Sequence, residues 1–126
     1  MTQNKTSEEL LNIVAQAAYD KKGGNILALD VRGLSSLTDY ILIAEGNVDR
    51  HVMSIARGCL DALREIGETP AHVEGLQTGD WIVLDFVSIM IHIFMPGLRD
   101  KYALEKLWGE SKIVDLHIDV SKGVNV

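Results

Sequence analysis

Apolar residues near the start of the chain recur at helical spacing: Leu10, Ile13, Val14, Ala17 and Ala18 step by three and four, so they share one face of a helix. Thr6 and Glu9 precede them at capping-box spacing. Lys21-Lys22-Gly23 reads as the stop, with cations complementing the C-terminal dipole and glycine taking the left-handed cap. Residues 26–31 then form a short apolar run between Asn25 and Gly33, the length and composition of a buried strand. After the polar connector Ser35-Ser36-Leu37-Thr38-Asp39, residues 40–44 read as a second strand. Gly46-Asn47-Val48-Asp49 opens a second helix, whose Val52, Ile55, Ala56, Cys59, Leu60, Leu63 and Ile66 keep helical spacing until Gly67; such a stripe has to cover a sheet.

Three further strands are expected at 71–74, 81–86 and 89–94. The last two are separated only by Val87-Ser88, so they form a tight hairpin even without a favoured Asn-Gly turn. Pro96 ends the second of them, and residues 99–108 read as a short helix with Leu104, Leu107 and Trp108 on one side. Residues 114–120 alternate apolar and polar strictly, the pattern of a candidate edge strand. The expected architecture is α/β (α+β): a mixed sheet of about five strands flanked by helices. One domain spans residues 1–110, and residues 111–126 form a C-terminal tail.

Composition narrows the function. The chain has 126 residues, 47% of them hydrophobic and 24% charged, within the globular range. The single cysteine, Cys59, excludes an internal disulfide framework and any site built on several thiolates. The first residues lack an apolar h-region and carry the acidic pair Glu8-Glu9, so a cytoplasmic protein without a targeting segment is expected. No apolar run reaches the roughly 18 residues of a membrane span, since 82–95 is broken by Asp85, Ser88 and His92. A formal charge of −6, with Lys21-Lys22 the only adjacent basic pair, is a poor match to a phosphate backbone, so nucleic acid is not expected as the primary contact.

Few residues offer chemistry. Gly23-Gly24 precedes a strand instead of following one, which is a helix cap and not a phosphate loop. His51, His72, His92 and His117 have no metal-ligand spacing, and no metal is expected. Asp30, Asp39, Asp49, Glu74, Asp80 and Asp85 lie near element ends but form no Asp-x-Asp pair on a strand, so no catalytic residue is assigned. Ser35, Ser36 and Ser54 have no nucleophile-elbow context, and Cys59 on an apolar stripe reads as an inert buried thiol.

The hairpin carries the most information. Trp81, Val83 and Asp85 share one face of its first strand, and Met90, His92 and Phe94 share one face of its second, opposite Ile89, Ile91 and Ile93. Both faces are largely apolar. One packs on helices. The other is either a recognition surface of aromatics with a few polar groups, or a second buried face in which Trp81 and Trp108 are simply core.

Several strings then coincide: Ala17-Ala18-Tyr19-Asp20-Lys21-Lys22, Leu29-Asp30-Val31, Ser36-Leu37-Thr38-Asp39-Tyr40, Ala44-Glu45-Gly46-Asn47, Glu74-Gly75, Gly79-Asp80-Trp81-Ile82-Val83-Leu84-Asp85-Phe86, Ile91-His92-Ile93-Phe94 and Tyr102-x-Leu104-Glu105-Lys106-Leu107-Trp108. Together, over residues 6–110, they resemble the Iojap-related ribosomal silencing factors. The resemblance implies a nucleotidyltransferase-like sheet without catalytic acids and a translational repressor that is not an enzyme and needs no cofactor. Its implied partner is the large ribosomal subunit, bound through the basic ribosomal protein number fourteen on the intersubunit face, which blocks joining of the small subunit. The implied partner-binding residues are Trp81, Asp85, His92 and Phe94 on the exposed hairpin face, with Tyr102, Leu104, Glu105, Leu107 and Trp108 beside them. The family usually has Gly-Asp at the hairpin turn, where this chain has Val87-Ser88. Two other readings stay open: a nucleotidyltransferase-like enzyme whose carboxylates converge only in three dimensions, and an interaction module that forms a homodimer when free.

Overall fold

Thr6 opens the first helix as its spacing predicts. Its hydroxyl accepts a hydrogen bond from the Glu9 amide at 3.1 Å, and the Glu9 carboxylate accepts from the Thr6 amide at 2.8 Å. The computed structural model describes residues 5–98 and 111–120. Its elements are α1 (Ser7–Asp20), β1 (Gly24–Asp30), β2 (Tyr40–Glu45), α2 (Asp49–Arg64), β3 (His72–Glu74), β4 (Trp81–Asp85), β5 (Ile89–Phe94) and β6 (Lys112–Ile113). The expected helix at 99–108 lies outside the described residues.

The stop of α1 differs in one residue from expectation. Lys22, not Gly23, takes the left-handed conformation, at φ +65°. Lys22 N–H then reaches the Tyr19 carbonyl and Gly23 N–H the Ala18 carbonyl, each at 2.8 Å. Gly23 is needed for closeness: a Cβ there would lie 2.9 Å from the Ala18 oxygen.

The six described strands form one sheet in the order β3-β4-β5-β2-β1-β6, the five expected plus a short edge strand in the tail. Every pairing is antiparallel except β2 with β5, where Ile43 lies opposite His92 and Glu45 opposite Phe94. Both helices pack on one face, against Ala28, Leu42, Ala44, Ile82, Leu84, Ile91 and Ile93. Cys59 sits fully buried between them, its thiol 3.7 Å from the Val14 carbonyl and its pKa pushed up to about 12 by burial, so it is inert as expected.

The tail alternates for a reason the sequence does not disclose. The edge ladder is not at 114–120 but at Lys112–Ile113, paired with Asp30 and Leu29 of β1. Beyond it Val114, Leu116 and Ile118 turn inward onto the helix-side core while Asp115, His117 and Asp119 stay exposed. The backbone of this stretch is held by α1 side chains: His117 N–H donates to Asn12 Oδ1 at 2.7 Å, and Asp119 N–H to Gln16 Oε1 at 2.6 Å. Gln16 Nε2 returns a bond to the Asp119 carbonyl at 3.3 Å, and the Tyr19 hydroxyl donates to the Val120 carbonyl at the same distance. Helical spacing lines these groups up along one side of α1, where they serve the extended chain as a neighbouring strand would.

The hairpin turn is strained. Val87 stands at φ +72°, a region that β-branched residues avoid, and Ser88 N–H bonds back to the Phe86 carbonyl at 2.9 Å. Asp85 holds it there by accepting the Val87 N–H at 2.8 Å.

Two measurements follow from this geometry. Val87→Gly relieves the strained turn and raises stability by about 1 kcal/mol, read as a higher urea midpoint with an unchanged slope. An unchanged or lower midpoint would show that the turn stores no strain. Replacing both Asn12 and Gln16 by Ala removes the backbone partners of the tail at about 1 kcal/mol per hydrogen bond. Amide exchange at His117 and Asp119 should accelerate while that in β5 does not; equal protection in the double variant would refute the tail's attachment.

Candidate functional site

Register fixes what the face opposite α1 and α2 carries. One row across the sheet reads Leu27, Ile43, His92, Val83, Glu74; the next reads Leu29, Ile41, Met90, Asp85, His72. Glu45, Phe94 and Trp81 form a third, shorter row. Leu29, Val31, Ile41, Ile43 and Phe94 make a second buried cluster here, with Leu27, Trp81, Met90 and Leu98 packed against it.

This corrects part of the expected surface. Phe94 is fully buried and His92 only 7% exposed, so neither is an exposed contact. Trp81 and Leu98 pack on the cluster that holds Phe94, and the Trp81 and Phe94 rings lie against His92. Trp81 and Asp85 remain half-exposed. Val83 and Met90 join them on the same face, also half-buried. The alternation that singles out Trp81 points to them equally, but as aliphatic residues they gave no separate signal. Tyr102, Leu104, Glu105, Leu107 and Trp108 lie outside the described residues.

Trp81 rests on an aromatic platform. Its ring lies 5.1 Å from Phe94 and 6.0 Å from His92, and the His92 and Phe94 rings are stacked within 10° of parallel. The indole Nε1–H donates to His92 Nδ1 at 3.1 Å. An indole can only donate, so Nδ1 is the acceptor and the imidazole proton sits on Nε2. That Nε2 is buried and has no hydrogen-bond partner among the described residues. Burial lowers the His92 pKa to about 4, so the ring is neutral at ordinary pH.

Gly75 brings the flanking loop onto this strand. It stands at φ +89°, and a Cβ there would collide with the Trp81 carbonyl.

The candidate acids are dispersed. Asp30 forms an ion pair with Arg32 at 2.7 Å, which lowers its pKa, and the guanidinium also lies over the Tyr40 ring at 5.2 Å. Glu74 pairs with His72, Asp49 accepts from the Arg50 amide, and Asp85 braces the hairpin turn. Asp39 and Asp80 are exposed. Among the described residues no three His, Cys, Asp or Glu side chains are grouped to hold a metal ion. His51 accepts from the Asn47 amide and bonds the Lys21 carbonyl, each at 2.8 Å, tying the start of α2 to the end of α1.

The chain is thus a mixed α+β sheet with α1 and α2 on one face and a half-exposed tryptophan on a buried platform on the other. The family model "ribosomal silencing factor during starvation" matches residues 4–125, beyond the 6–110 given for the resemblance, and the chain belongs to that family. It is 37% identical over 115 residues to the ribosomal silencing factor RsfS of Bacillus subtilis, covering 91% of this chain and 98% of that one. A crystal structure of a Chromobacterium violaceum protein superposes with a TM-score of 0.82 at 30% identity, over 94% of this chain and 98% of that one. The chloroplastic Iojap protein of Zea mays is a more distant relative, 29% identical over 86% of this chain and 47% of its own length. A ribosome-associated silencing role comes with this membership. No helix among the described residues is long and apolar enough to cross a membrane.

The buried imidazole sets a pH dependence. Its pKa is about 4 in the fold against 6.5 for a free histidine side chain, so as the pH falls the unfolded chain takes up the proton first. The stability contributed by the neutral ring is complete above the upper value and declines until the lower one, a loss of roughly 3 kcal/mol. Urea unfolding across that window should show the slope, and His92→Phe should flatten it; an equal slope in the variant would assign the effect elsewhere.

Proposed function

We propose that this chain represses translation by docking on the large ribosomal subunit, through its basic ribosomal protein number fourteen, and sterically blocking the small subunit. The observation that carries the reading is the half-exposed Trp81 on its buried His92–Phe94 platform, on the face opposite α1 and α2. A rigid aromatic anchor of this kind typically dominates an interface that buries about 800 Å² on each side. Val83, Asp85 and Met90 surround it, and the family resemblance adds Tyr102, Leu104, Glu105, Leu107 and Trp108.

Charge supports a basic partner. From residue 74 to residue 110 six acids (Glu74, Asp80, Asp85, Asp100, Glu105, Glu110) face three bases (Arg99, Lys101, Lys106). That excess speeds encounter with a basic protein and repels a phosphate backbone. Binding is then the whole activity, with no bond made or broken. The carboxylates an enzyme would need are engaged separately along the sheet.

Trp81→Ala and Glu105→Lys are each expected to weaken cosedimentation with isolated large subunits by about tenfold or more, a hot-spot-sized loss, and to restore subunit joining. Native circular dichroism together with wild-type cosedimentation would sink this surface.

A further inference from the structure

His92 sits where an apolar residue would be the simpler choice. Its row neighbours across the sheet are Leu27, Ile43 and Val83, and burial disfavours any polar atom left unpaired there. Its Nε2–H is such an atom, since no described residue accepts it. Core packing alone does not account for an imidazole that carries this penalty. Its one hydrogen bond among the described residues is the one it accepts from Trp81.

We propose that His92 is a positioning residue for docking: its Nδ1 lone pair captures the Trp81 indole N–H and fixes the angle at which that ring meets the partner. The role differs from contact, because the imidazole is sealed under the surface. Three features make the capture firm. The donor-only indole imposes one tautomer. The lowered pKa keeps Nδ1 unprotonated at ordinary pH. Phe94, stacked on the imidazole and 5.1 Å from the indole, closes the third side. Without the capture the indole regains rotameric freedom, which binding must then remove.

This rests on the reading of Trp81 as the docking anchor, and the test separates the two. His92→Asn retains an acceptor oxygen near the position of Nδ1, whereas His92→Phe keeps the ring and removes the acceptor. The readouts are the indole N–H resonance of Trp81, assigned with Trp81→Phe, and binding to isolated large subunits. In wild type the resonance is expected to be shifted by its hydrogen bond and to exchange slowly with water. His92→Phe is expected to melt at or above the wild-type temperature, lose the shift and bind about tenfold more weakly, while His92→Asn retains the shift and most of the binding. Wild-type binding by folded His92→Phe beside a weakened Trp81→Ala would overturn the positioning role alone. Wild-type binding by Trp81→Ala would overturn the anchor, and this role with it. Should His92→Phe fail to fold, the Asn variant decides: lost binding with a retained indole signal overturns the proposal.

Discussion

A sheet with α1 and α2 on one side must find other cover for the apolar residues of its second side. Here α1 and α2 take one face, and the register then commits Leu29, Ile41, Ile43 and Phe94 to the opposite one. Those residues bury each other across β1, β2 and β5, and the parallel pairing of β2 with β5 is what brings them together. Removing them from water is the term that holds the second face in place. The position of Trp81 follows, because β4 is the next strand out and its first residue lands beside Phe94.

That pairing also marks the limit of what the residues reveal in order. The helices were legible because Leu10 to Ala18 and Val52 to Ile66 keep one period throughout. The hairpin was legible because its strands are two residues apart and alternate. Nothing local tells β5 to lie beside β2, forty-odd residues earlier in the chain, and so nothing separated buried Phe94 from half-exposed Trp81. Period two reports which residues share a face and is silent on what covers that face. The tail makes the same point in reverse: the inward turn of Val114, Leu116 and Ile118 was written in the alternation, yet the backbone partners proved to be Asn12 and Gln16 on a helix. Lys22 in the left-handed position beside an available glycine is a smaller case, in which the steric demand fell on Gly23 instead.

The hairpin turn joins the strain and the surface. A glycine would take positive φ freely, but Val87 needs an external hold, and Asp85 supplies it with one carboxylate oxygen. An acid expected to face a partner is thereby partly committed to its own backbone. Its charge still contributes to the field over the face, while its geometry belongs to the turn.

Docking of the kind proposed asks an acidic chain with few aromatics to hold a partner by more than charge. Long-range attraction raises the rate of encounter but is screened within about 10 Å at ordinary salt, so residence must come from close contact. A close contact made by a mobile side chain loses part of its gain to ordering. Trp81 avoids much of that loss, because a ring half-buried on stacked imidazole and phenyl groups, with its N–H already engaged, has little freedom left to surrender. The second core under the sheet therefore serves two ends at once. It stabilises a face that α1 and α2 do not cover, and it preorganises a large aromatic side chain that this face leaves partly exposed.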